Sequence, residues 1–193
     1  PLSADADGLV VGEGAAAITL KRLDDALRDG DTIHGLIRGG ALGNDGRSGN
    51  LLAPNTQGQL RCLRQAYAQT GLSVSSLAYL ECHATGTRVG DRSEVEALVA
   101  LLDSEESPPA QPIVLSSAKS QIGHTVTAAG LAGLIRAIGA VRDGFLPPTP
   151  IKTPMALITS NPNLRVLTTA EPWETSLRRA GVSAFGFGGT NAH

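Results

Sequence analysis

The 193-residue chain is long enough to bury a sizeable core, and its composition is globular, with 41% apolar residues and a net charge of −2. That balance argues against a basic nucleic-acid binder and gives no electrostatic reason to expect an anionic membrane as partner. Glycine is abundant (23 residues) and aromatics are scarce (3%), which points to tight turns and close backbone approaches in an α/β protein.

The two cysteines, Cys62 and Cys82, have no metal-site spacing, so neither a metal nor a disulfide framework is expected, and a reducing cytoplasm fits best. The opening PLSADADG is polar and lacks a signal peptide's basic start, and no apolar run is long enough to cross a bilayer. The chain begins without Met and stops at Gly189-Thr190-Asn191-Ala192-His193, so both ends read as segment boundaries.

Residues 8–23 read as a strand entering a short helical segment. Val10, Ala15, Ala17, Ile18 and Leu20 predict burial on both faces. Residues 34–42 form a second strand candidate, closed by the turn-rich Gly43-Asn44-Asp45-Gly46, with an irregular polar stretch up to Pro54. Thr56 and Gln59 make a capping box that opens a helix with Leu60, Leu63, Ala66 and Tyr67 on one face, and Gly71 stops it. Cys62 lies on that helix as a packing residue.

Residues 77–82 predict a short strand, followed by a glycine turn and a helix capped by Asp91 or Ser93. A surface loop over 104–112 leads to a strand over 113–116. Residues 125–142 predict a buried helix, apolar nearly all round, whose Ala129, Gly130, Ala132 and Gly133 invite close approach of another backbone. Pro147, Pro148 and Pro150 mark an extended loop. Strands are expected over 164–168 and 181–187, the last running into a glycine turn. Alternating strands and helices give an α/β layered fold.

Three segments carry chemistry-bearing residues. In Glu81-Cys82-His83-Ala84-Thr85-Gly86-Thr87, a strand end presents an imidazole and two hydroxyls, where α/β sheets commonly hold their active sites. Alone, His83 suits a structural role as well as an acid–base one. In Lys119-Ser120-Gln121-Ile122-Gly123-His124, an ammonium and an imidazole precede a helix, whose dipole favours neutral imidazole and bound anions. A solvated Lys119 and a helix-capping His124 fit the same string. In Phe185-Gly186-Phe187-Gly188-Gly189, glycines allow close approach to a ligand and the rings offer a wall or gate, although the phenylalanines equally suit a core.

Taken together and in this order, the three segments resemble the β-ketoacyl synthase family, which reads E-A-H-G-T-G-T-x-x-G-D-x-x-E, then K-S-N-I-G-H before an alanine/glycine-rich helix, then G-F-G-G-T-N. Asp5-Ala6-Asp7-Gly8, Gly12-Glu13-Gly14 and Lys21-Arg22-Leu23 resemble the segment after that family's nucleophile, and Pro147-Pro148-Thr149 resembles the loop after its buried helix. The ending Asn191-Ala192-His193 looks most like the polyketide synthase branch.

The resemblance implies the later part of a thiolase-like layered α/β/α/β/α fold. Residues 1–50 would end the N-terminal half, and 51–193 would form most of the C-terminal half without its last strand. It implies decarboxylative Claisen condensation of an acyl thioester with a malonyl-type acyl carrier protein thioester. His83 and His124 would be the active-site histidines, with Lys119 paired to Glu94. Thr85, Thr87, Phe185, Phe187, Gly188 and Gly189 would bind the substrate and its phosphopantetheine arm, with the two phenylalanines beside the nucleophile, where one can act as a gate. No cofactor is expected to stay bound. The implied partners are the acyl carrier protein, a second copy in a homodimer and neighbouring synthase domains.

The family's nucleophilic cysteine lies upstream of Asp5, and nothing here supplies it. Cys82 reads as a small buried residue. The chain alone should therefore be inactive, and its uncovered apolar faces should make it sticky. Ala84 for glycine would add a methyl beside the pantetheine channel, and Gln121 for asparagine lengthens an amide. Two other readings remain: a non-elongating homologue (decarboxylase-only or chain-length-factor-like), and a non-catalytic structural or dimer-interface module. Keeping both histidines speaks against a chain-length factor.

Overall fold

A computed structural model describes residues 1–46 and 53–193. Helix α1 (Leu23–Asp29) precedes strand β1 (Leu42–Asn44) and helix α2 (Thr56–Thr70). Strand β2 (Tyr79–Glu81), helix α3 (Arg88–Leu102) and strand β3 (Ile113–Ser116) follow, then helices α4 (Lys119–Ile122) and α5 (Ala129–Asp143). The remainder is β4 (Phe145–Leu146), α6 (Ala156–Thr159), β5 (Leu164–Arg165), β6 (Glu171–Pro172), β7 (Ala180–Val182), β8 (Ala184–Gly186) and β9 (Thr190–Ala192).

The centre is a parallel four-stranded sheet ordered β5-β3-β2-β7. Side-chain alternation along its strands divides the core in two. Leu80, Cys82, Ile113 and Leu115 pack with Leu60 and Leu63 of α2 and with Val95, Leu98 and Leu101 of α3. Tyr79 and Val114 point to the opposite face and pack with Ala137 and Ala140 of α5, and with Leu146, Leu167 and Trp173. The sheet is thus a layer between α2/α3 and α5. A second, antiparallel sheet joins β1, β9 and β8, and β4 pairs with β6.

Several expectations change in detail. Residues 8–23 form no paired strand beyond a parallel bridge from Val11 to His124, and Val10, Val11 and Leu20 are exposed rather than buried on both faces. Among the described residues no second strand lies beside this segment, so its backbone has no ladder to join. The strand expected over 34–42 shrinks to β1, which starts at Leu42. The irregular stretch before Pro54, and the boundary between residues 50 and 51, fall mostly on residues outside the described ones.

Helix α2 is capped by Asn55, whose side chain accepts the N–H groups of Gln57 and Gly58, instead of by a Thr56–Gln59 box. Gly71 ends it at φ +63, as expected of a left-handed C-cap. Helix α3 begins at Arg88, ahead of both predicted caps, because Asp91 and Glu94 spend their carboxylates on the preceding loop. The helix predicted over 125–142 opens with a 3₁₀ turn at Val126–Ala128, and α5 begins at Ala129. It buries only Ala129, Gly133, Ala137 and Ala140, while Ile135 is exposed. The larger apolar side chains of α5, Leu131, Leu134 and Ile138 among them, face a cavity of about 2100 Å³ shared with residues 18–42.

Candidate active site

The sheet brings three chain-distant segments together. His83 follows β2, Lys119 follows β3 and Phe185 follows β7, and these strands are neighbours in the order β3-β2-β7. All three residues sit beyond the carboxyl ends of parallel strands, the edge where such sheets place their chemistry. The rings of His83 and His124 meet edge to face, with centroids 5.5 Å apart and planes at 82°. Phe185, which is buried, closes another side with its ring 5.9 Å from that of His83.

Backbone contacts hold the two histidines. Glu94, wholly buried on α3, accepts the N–H of His83 at 2.8 Å and that of Ala84 at 2.7 Å. Asp91, one turn earlier, accepts the N–H of Gly86 at 3.0 Å and that of Leu2 at 2.7 Å. His124 is clasped by residues 10–12: its N–H donates to Val10 O at 2.7 Å, and Gly12 N–H donates to its carbonyl at 3.0 Å. Gly12 must lack a side chain there, since a Cβ would lie 2.3 Å from the Ile122 carbonyl oxygen.

The imidazole of His124 is fixed by Val126, whose N–H donates to Nδ1 at 3.0 Å. With Nδ1 accepting, the neutral ring carries its proton on Nε2 and is a donor there. The contact requires φ +51 at Val126, a left-handed conformation that is strained for a β-branched residue.

The electrostatics keep both rings neutral. Burial, then the Lys119 charge and His124, pushes His83 down to about 3. Burial and Lys119 lower His124 too, so desolvation rather than a helix dipole is the main cause. Burial also lowers Lys119, opposed chiefly by Glu94 and Glu81, and raises Glu94 to about 7 despite its two backbone donors. No direct Lys119–Glu94 ion pair forms among the described residues. Glu94 influences Lys119 through the field while its oxygens hold the His83 loop.

Residues 34–151 match the family described as Beta-ketoacyl synthase, C-terminal domain. The chain belongs to the β-ketoacyl synthase family. A phenolphthiocerol/phthiocerol polyketide synthase of Mycobacterium tuberculosis is 44% identical over 199 residues, covering 98% of this chain and 10% of that protein. Among solved structures, the ketosynthase from module 1 of the bacillaene synthase of Bacillus amyloliquefaciens superposes with a TM-score of 0.93 at 34% identity, covering 100% of this chain and 37% of that one. The PfaC keto synthase–chain length factor gives 0.90 at 41% identity, covering 100% of this chain and 21% of that one. These likenesses establish the thiolase-like ketosynthase fold. The chain spans about a tenth of the mycobacterial relative and about a third of the bacillaene ketosynthase.

The other expected ketosynthase positions fall as follows. Thr85 and Thr87 lie half-buried with their hydroxyl oxygens 3.0 Å apart at the start of α3. Gly188 and Gly189 form the β8–β9 turn at φ +85 and +79, and Phe187 beside them is 74% exposed. Ala84 is buried, its φ is not positive, and its methyl packs in the α2/α3 core. Cys82 is buried, and burial raises its thiol well above the ordinary value, so it is no nucleophile.

The sequence reading missed the residues 10–12 clasp, the Val126 N–H, and the anchor of the glycine turn, where Asn191 Nδ2 donates to Asp45 Oδ1 at 2.6 Å. It also gave no role to Glu81. Gly12 and Gly123, each backed against the other's segment, were the available signal for the clasp.

Proposed function

We propose that this chain supplies the later part of a polyketide or fatty-acid ketosynthase catalysing decarboxylative Claisen condensation, with residues 1–50 ending its N-terminal half and 51–193 forming most of its C-terminal half. The observation that carries this reading is the edge-to-face pair of neutral imidazoles at the ends of adjacent elements, beside Lys119. Loss of carbon dioxide from a malonyl-type thioester leaves the electron pair on the α-carbon and charge on the thioester oxygen. The Nε2–H of His124, with His83 beside it, stabilises that oxygen as an oxyanion hole does. The α-carbon then attacks the acyl thioester carbonyl, a carbon–carbon bond forms and the nucleophile's thiolate leaves.

That thiolate belongs to a cysteine outside the chain, so the fragment alone is inactive. Thr85 and Thr87 hydrogen-bond the phosphopantetheine arm, and Phe187 gates access. The acyl carrier protein, a second copy of the domain and neighbouring synthase domains are its partners. Two buried free cysteines suit the reducing cytoplasm. Among the described residues no helix is long and apolar enough to cross a membrane.

The test is thiol acylation on the full-length synthase that carries this chain, followed by malonyl-carrier decarboxylation. Acylation of an upstream cysteine, with decarboxylation lost in His83→Ala and His124→Ala, supports condensation. An inert nucleophile position makes the protein a decarboxylase or a chain-length-factor-like partner. Product formation that survives loss of both histidines overturns a catalytic role and leaves a structural module.

A further inference from the structure

One buried acid beside this site has no part in the chemistry above. Glu81 is the last residue of β2, and its side chain is 2% exposed. Strand alternation turns it, like Tyr79, toward α5. Helix α5 makes room for it: a Cβ on Gly133 would lie 3.0 Å from Glu81 Cγ.

Each carboxylate oxygen has fixed donors. Oε1 accepts the N–H of Ala118 at 2.6 Å, and Oε2 accepts the Tyr79 hydroxyl and Arg136 Nη1, the latter at 3.1 Å. Arg136 donates onward to Ser116 Oγ at 2.8 Å and to the Pro148 carbonyl. Thr149 Oγ1 bonds Ser116 Oγ at 2.8 Å and accepts Ser117 N–H at 3.0 Å. Ser117 Oγ donates to the Ala84 carbonyl at 3.1 Å, which closes the chain of contacts on the His83 loop.

As a stabilising device such a buried pair is poor, since well-packed apolar residues serve as well. Its geometry does something an apolar cluster cannot: it holds the peptide just before Lys119 and the strand end just before His83 on one carboxylate. We propose that Glu81 is a positioning residue that, through Ala118, fixes the turn presenting Lys119 to the His83–His124 pair. This rests on the ketosynthase reading. The groups whose charges act on Lys119 are Glu94 and Asp91 from α3, Glu81 and Cys82 from β2 and its end, and the two histidines. Glu81 is second only to Glu94 among those that favour its charged form.

The experiment uses the full-length synthase carrying Glu81→Gln, and separately the Glu81→Met/Arg136→Met pair, which removes both buried charges together. Competitive acetylation of Lys119 with acetic anhydride, followed by mass spectrometry across pH, reads its protonation without needing turnover. Glu81→Gln should lower the Lys119 midpoint by about one pH unit, as loss of a nearby carboxylate requires, while the paired variant, which loses a carboxylate and a guanidinium together, should leave it closer to the wild-type value. In the paired variant, which leaves the Ala118 N–H without its acceptor, malonyl-carrier decarboxylation should fall about tenfold in kcat with KM within about twofold, since a displaced turn costs reactive geometry rather than binding. A paired variant that melts with the wild type yet keeps its Lys119 acetylation reactivity and its kcat overturns the proposal. If the wild-type synthase does not turn over, the ketosynthase reading fails, while the Lys119 midpoint in Glu81→Gln and the Lys119 acetylation reactivity in the paired variant still decide the role of Glu81.

Discussion

His83 and His124 stand edge to face, their ring centroids 5.5 Å apart, and each is secured by a different part of the chain: His83 by Glu94 on α3, and His124 by residues 10–12 and Val126. Two protonated imidazoles at that separation would repel each other, and burial beside Lys119 already disfavours protonating either. His83 is therefore held neutral well below neutral pH, and His124 is shifted in the same direction.

His83 and His193 should each make folding stability fall on acidification for this reason. His83 drops from the ordinary 6.5 to about 3 and His193 to about 4, so below pH 6.5 the unfolded chain binds protons that the folded one refuses. Glu94 works the other way: held at about 7, it keeps a proton in the folded state that the unfolded chain releases above 4.5. Between pH 4.5 and 6.5 each of these two histidines adds about one proton to the upward slope of stability with pH, and Glu94 subtracts about one. Urea midpoints across this range measure it. His83→Asn should lower the slope by about one proton, and Glu94→Gln should raise it by about one. An unchanged slope in both contradicts the assignment.

Glu94 serves as a backbone acceptor more than as an ion-pair partner, and the two roles separate by substitution. Glu94→Ala leaves the buried N–H groups of His83 and Ala84 without acceptors, at about 1–3 kcal/mol each. Glu94→Gln retains one amide oxygen and should recover roughly half of that loss. Chemical denaturation of the two variants gives the comparison. Equal losses would assign the cost to charge instead of hydrogen bonding.

The sequence made the central sheet readable because β2 and β3 are short apolar runs bounded by turns, and α2 ends on a glycine with no alternative role. The site was readable for a different reason. His83, Lys119 and Phe185 each follow a strand, and a parallel sheet gathers such positions on one edge. Residues 8–23 misled because burial was inferred from hydrophobicity alone: Val10 and Leu20 are apolar yet exposed. The role of Asp91 was misjudged because a helix cap and a buried loop anchor use the same acidic residue. Only the position of the loop, which depends on tertiary packing, separates the two. Val126 gave no signal at all, since nothing in a valine announces a positive φ.

Strain at Val126 predicts its own relief. A left-handed valine that is 62% exposed contributes little burial, while its backbone conformation costs about 1–2 kcal/mol. Val126→Asn keeps the N–H and tolerates that conformation, so it should raise stability by about 1 kcal/mol. Nitrogen-15 NMR of His124 should still report Nδ1 as the unprotonated nitrogen. Loss of stability would mean that the valine side chain makes a contact worth more than the strain.

The two phenylalanines at the end of β8 should separate stability from access. Phe185 is buried against the His83 ring, and Phe185→Ala should cost about 3–5 kcal/mol, as removing an aromatic from a core does. Phe187 lies two residues on and is 74% exposed beside Gly188, so Phe187→Ala should change stability by less than about 0.5 kcal/mol. If Phe187 gates the nucleophile, its removal should instead change the rate of acyl loading, and the change should grow with acyl length, because a gate acts on passage and not on the bond-forming step. Stopped-flow loading of short and long acyl thioesters onto the full-length synthase separates the cases. A uniform effect across chain lengths would assign Phe187 to the chemistry, and no effect would reduce it to surface.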